Sequence, residues 1–129
     1  KYFHVDHPNI TVASWPEYDV QTLLKESAVL VTDFSSVAMD FAYMKKPLVY
    51  YQFDNEKFRQ SHHQIGYFDF RKDGFGPVCV TEQEVTDWLI RLHGHGFANE
   101  EIYLERHGKY FDLWDTKNCE RNYKAIKEM

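Results

Sequence analysis

The spacing of apolar positions changes several times along the chain, and each change marks an element. Ile10, Thr11 and Val12 form a β-branched run within residues 9–14, which predicts a short strand. Pro16 fixes its own φ and turns Trp15 away from helix, so residues 15–18 read as a loop. Asp19 then offers a carboxylate to the free amides of a helix whose Val20, Leu23 and Leu24 share one face. Ala28, Val29, Leu30 and Val31 run into Thr32 without a polar break, as suits a parallel strand covered on both faces. A helix is predicted over 36–45, with Val37, Phe41 and Met44 at helical spacing. Lys45 and Lys46 suit the negative end of its dipole, and Pro47 stops it before an apolar strand at 48–51. The order β-α-β-α-β with short connections predicts an α/β fold, an open parallel sheet with helices on both faces.

Residues 53–76 break this rhythm with mixed charges, adjacent His62 and His63, and three glycines. They read as a long loop with a short helix near 55–60, and loops this long in compact domains are often functional. A last short strand is expected at 78–80. Thr81 and Glu84 then have the spacing of a capping box, ahead of a helix that places Val85, Trp88, Leu89 and Leu92 on one face. Gly94 and Gly96 end it, and two further helices are expected at 99–111 and 116–127.

Composition narrows the class. The 129 residues suffice for one domain, and 43% hydrophobic with 27% charged residues suits a globular chain. Two distant cysteines, Cys79 and Cys119, form neither a disulfide framework nor a zinc spacing. No apolar run approaches a membrane span. The net charge of −5 argues against a nucleic-acid partner and implies that any anionic ligand is held locally.

One segment concentrates such chemistry. After the apolar strand come Asp33, Phe34, Ser35 and Ser36, and then the helix that carries Asp40. A helix start at the carboxyl end of a parallel strand offers unpaired amides and a positive dipole end, and small hydroxyl side chains add donors without blocking access. The same residues also fit a plain structural role, since serine before a helix is an ordinary N-cap. Asp33 would then form the turn, and Asp40 would be a solvated helix residue.

Read together, Tyr18-Asp19-Val20-Gln21, Val31 through Ser36, Asp40-Phe41-Ala42-Tyr43 and Lys46 through Tyr51 resemble the C-terminal half of the CDP-glycerol glycerophosphotransferase family. Gly66 through Asp69, Gly76-Pro77-Val78 and Asn118 through Arg121 continue the resemblance in order. It implies a Rossmann-like, nucleotide-binding C-terminal lobe of a glycosyltransferase B-type fold, spanning 1–129 as a single domain, with the N-terminal acceptor lobe absent. It implies Ser35 and Ser36 on the donor diphosphate and Asp40 on the ribose. The 15–18 loop, with Trp15, Glu17 and Tyr18, would hold the base or support the site, and Asp33 would brace the turn. The implied partners are CDP-glycerol or a related CDP-polyol and a polyol-phosphate polymer or lipid-linked acceptor. The implied location is the cytoplasmic face of a bacterial membrane, reached through parts outside this chain, and no cofactor is implied.

Two departures stand out. The family's catalytic histidines belong upstream, and His7, beside Pro8, sits too close to the Asp19 helix to match them. Phe34 stands where tyrosine is usual, which removes a hydroxyl. Two rival readings remain at this stage: a nucleotide-binding module without chemistry of its own, and a related lobe that takes a sugar nucleotide. His62 and His63 lack a carboxylate or cysteine at a ligand spacing and read as solvated. His93 and His95 read as residues of a helix C-terminus, and Arg71 through Gly74 as a turn.

Overall fold

The structure is a computed structural model, and it describes residues 5–54 and 67–129. In chain order it contains α1 (Val20–Glu26), β1 (Leu30–Thr32), α2 (Val37–Tyr43), β2 (Leu48–Tyr51), β3 (Val78–Cys79), α3 (Glu82–Gly94), α4 (Glu101–Tyr110) and α5 (Asn118–Lys127). The strands form one parallel sheet in the order β1-β2-β3. Leu30 pairs with Leu48, Thr32 with Tyr50, and Tyr51 with Cys79. The short helix near 55–60 and the residues His62, His63 and Gly66 lie outside the described residues.

β2 is the centre of the molecule because it is buried on both faces. Leu48 and Tyr50 pack with Ala38, Phe41 and Ala42 of α2 and with Phe75. Val49 points the other way, into a cluster with Cys79 and Leu92 of α3, against which Val85 and Trp88 pack. This is the period-two alternation of a strand, here apolar on both sides because a helix covers each. Phe75 extends the first cluster into the C-terminal region, meeting Tyr110 and Phe111 with ring centroids 5.3 and 5.6 Å away.

β1 is less covered than its composition predicts, with Val31 41% exposed. The strand expected at 9–14 does not form, and Ile10 and Val12 are exposed. β-branched residues favour a strand only where a facing surface buries them. None does so here, and β1 is the sheet edge among the described residues.

The two lysines after α2 also go elsewhere. α2 ends at Tyr43, and Lys45 turns the chain with φ 59. Lys46 Nζ donates to the carbonyl oxygens of Leu24, Lys25 and Ser27, so its charge caps the C-terminal end of α1 instead. Lys45 Nζ lies 4.5 Å from the centre of the Trp114 ring. Gly74 and Gly76 serve close packing rather than turns. A Cβ would come within 2.0 Å of the Phe70 carbonyl oxygen at Gly74 and 1.9 Å of the Leu48 carbonyl oxygen at Gly76.

Candidate functional site

The site is built where β1 ends and α2 begins. Asp33 Oδ1 accepts the Ser35 N–H at 3.1 Å, which folds the turn. The Ser35 carbonyl accepts the Ala38 N–H at 3.2 Å and the Ser36 carbonyl accepts the Met39 N–H at 2.9 Å, starting the helix. Ser36 itself already has helical dihedrals, φ −63 and ψ −17, and its hydroxyl makes no capping bond. An effective N-cap stands in extended geometry so that its side chain reaches forward. The capping contact that does exist is a long one, from Val37 N–H to Ser35 Oγ at 3.5 Å. Ser36 is therefore not the ordinary cap that its position suggests. Among the described residues neither its N–H nor its hydroxyl has a partner, and the residue is exposed.

Asp40 is exposed one helical turn further along α2, without an ion-pair or hydrogen-bond partner among the described residues. Trp15, Glu17 and Tyr18 are also exposed, Trp15 at 82%. The Tyr18 N–H donates to Ser14 O at 3.0 Å. No hydrogen bond among the described residues ties this turn to Ser35 or Ser36. The structure thus carries Asp33, Ser35, Ser36 and Asp40 on one segment. Asp19 behaves as expected: its Oδ2 accepts both Thr22 N–H and Thr22 Oγ1–H at 2.9 Å, and these bonds hold its carboxyl below the usual value.

Gln52 is a buried polar residue that its sequence context did not single out. It follows β2 directly, its N–H donates to Cys79 O at 2.8 Å, and it is buried with Nε2 unpartnered among the described residues. Strand alternation puts it on the Tyr50 side of the sheet, the face that α2 covers. The only signal in the sequence is a polar residue closing an apolar run. His107 is the other buried polar side chain, stacked edge-on against Phe75 with both ring nitrogens unpartnered among the described residues. Burial pushes its pKa down.

The remaining candidates make local contacts. His95 Nδ1 lies 2.8 Å from Arg91 O at the end of α3. His7 Nδ1 accepts the Asn9 N–H within a local turn. The 69–73 turn is closed by its own carboxylates, Asp69 Oδ1 accepting from Arg71 and Lys72 and Asp73 Oδ2 accepting from Asp69. Among the described residues no histidine, cysteine and carboxylate groups gather as a metal site, and no helix is long and apolar enough to cross a membrane.

Over 109 residues the chain is 38% identical to the minor teichoic acid biosynthesis protein GgaB of Bacillus subtilis, a match covering 84% of this chain and 12% of that protein. It is 38% identical over 103 residues to a teichoic acid poly(glycerol phosphate) polymerase of the same organism, covering 80% and 14%. A teichoic acid glycerol-phosphate transferase of Staphylococcus aureus is 34% identical over 110 residues, covering 84% and 28%. The chain therefore spans between about an eighth and a quarter of these relatives. No solved structure matches. Residues 6–128 match the family described as CDP-glycerol:poly(glycerophosphate) glycerophosphotransferase, and the chain belongs to that family.

Proposed function

We propose that this chain is the donor-binding lobe, Rossmann-like and of glycosyltransferase B type, of a transferase that moves glycerol phosphate or a related polyol phosphate from a CDP-activated donor to a teichoic-acid-type acceptor. The observation that carries this reading is Ser36, whose amide and hydroxyl have no partner among the described residues and stand at the carboxyl end of a parallel strand in a chain of this family. Such donors can hold a diphosphate without concentrated positive charge.

In the reaction an acceptor hydroxyl oxygen attacks the β-phosphorus of the donor. The new P–O bond forms as the bond from that phosphorus to the bridging oxygen breaks, and CMP leaves with the electron pair. The hydroxyl proton passes to a general base. Ser35 and Ser36 hold the diphosphate and meet the charge that grows on it, Asp40 binds the ribose hydroxyls, and the Trp15, Glu17 and Tyr18 turn supports the base. The lobe works at the cytoplasmic face of a bacterial membrane.

Calorimetric titration with CDP-glycerol, CDP-ribitol and UDP-glucose tests this. The CDP-polyols should bind and UDP-glucose should not. Ser36→Ala should weaken donor binding by about 1–2 kcal/mol, the range for hydrogen bonds to charged groups. Unchanged affinity in Ser36→Ala and Asp40→Asn would place the donor elsewhere, and tighter binding of UDP-glucose would replace the polyol donor with a sugar nucleotide.

A further inference from the structure

A groove of about 580 Å³ lies between the 69–73 turn and α4, on residues that the donor site does not use. Phe68 and Tyr110 form an aromatic wall, their ring centroids 5.7 Å apart. Both rings also meet buried Phe75, at 5.6 and 5.3 Å, so the wall is anchored in the core. Lys72, Arg106 and Lys109 line the same groove, and none of them has an ion-pair partner among the described residues. Arg106 Nη1 donates to Gly74 O at 2.8 Å, which fixes the guanidinium while leaving its other N–H groups uncommitted to a carboxylate. Of the two carboxylates present, Asp73 accepts the Asp69 N–H, and Glu105 has no partner among the described residues. In a chain of net charge −5, the groove thus gathers three cations without an ion-pair partner among the described residues, an aromatic wall and two carboxylates, of which Asp73 already accepts a backbone N–H.

We propose that the groove binds an anionic polyol-phosphate chain. Its phosphates meet Lys72, Arg106 and Lys109, its carbons lie on Phe68 and Tyr110, and its hydroxyls donate to Glu105. Naming this ligand as the acceptor rests on the function proposed above, whereas the phosphodiester chemistry rests on the groove alone. Nucleic acid shares the phosphodiester, but the acidic chain favours the polyol.

The test titrates the full chain with a short synthetic oligo(glycerol phosphate) and, separately, with a single-stranded oligonucleotide of equal charge. Lys72→Glu/Lys109→Glu should weaken oligo(glycerol phosphate) binding on the order of tenfold or more, with a melting temperature that shows an intact fold. A control of equal charge change, Lys25→Glu/Lys127→Glu, should change it less than about twofold, because neither lysine lines the groove and exposed charges are screened by salt. Equal losses in both pairs, or no loss in the groove pair, would overturn the proposal, as would tighter oligonucleotide binding. CDP-glycerol affinity should be the same in the groove variant as in the parent, so failure of the donor site and failure of the groove give separate readouts.

Discussion

Two helix starts in this molecule follow the same sequence logic and end differently. At α3, Thr81 is extended, with φ −123 and ψ 154, and its hydroxyl accepts the Glu84 N–H. Glu84 Oε2 answers by accepting the N–H groups of Val80 and Thr81 at 2.7 and 3.1 Å. The donors at that end are consumed by the chain itself. At α2, Ser36 has already entered helical geometry, so its hydroxyl cannot reach forward, and Ser35 makes only a 3.5 Å contact in its place. A hydroxyl residue ahead of a helix is thus a stabilising device in one place and an uncommitted donor in the other. The backbone dihedral of that residue decides between them.

The largest difference is expected in stability. Thr81→Ala breaks the capping box and should cost about 1–2 kcal/mol in chemical denaturation, with donor affinity unchanged. Gln52→Met should act in the opposite direction and stabilise by about 1 kcal/mol, because it removes a buried amide nitrogen that has no partner among the described residues. A loss of stability in Gln52→Met would show that the amide is satisfied in solution.

Acid sharpens the contrast further. Backbone N–H bonds from Val80 and then Thr81 hold the Glu84 carboxyl below its ordinary range. Its contribution is therefore present above the ordinary glutamate pKa and is lost as pH falls through the lowered folded value. Glu84→Gln should flatten that limb of a melting-temperature profile, whereas Ser36→Ala should run parallel to the parent. At higher pH, buried His107 titrates with the opposite charge logic. Its folded pKa is lowered, so stability falls as pH drops below about 6.5, the unfolded value, and levels off below the folded one. His107→Phe should remove this step from the same profile. The smallest effect is the most telling: Ser36→Ala should change stability by under about 0.5 kcal/mol, since no cap is lost. A cost near that of Thr81→Ala would make the two helix starts equivalent and remove the argument for a donor at α2.

Much of this was legible one segment at a time. The Asp19 cap, the capping box, the apolar β2 strand and the Val85, Trp88 and Leu92 face all depend on residues within a few positions of one another, and each stands where its pattern predicts. The Asp33 to Ser36 turn was also legible, because a strand end followed by small hydroxyl residues is a local signal. Its division of labour was not. Which serine would approach a capping position depended on where the helical dihedrals begin, and sequence patterns place helix ends only to within a residue or two.

What the sequence by itself determined is the alternation of strands and helices, their local caps and the family, since neighbouring residues and their order carry those signals. The tertiary structure decided the rest. It left residues 9–14 outside the sheet and β1 at the sheet edge among the described residues, with Val31 exposed. It carried Lys46 to the carbonyls of α1, and it required glycine at 74 and 76 because backbone carbonyls of Phe70 and Leu48 pass too close for a Cβ. It also assembled the groove of Lys72, Arg106 and Lys109 from a turn and a helix about thirty positions apart. Each of these outcomes depends on a partner distant in the chain, and only folding brings such partners within contact range.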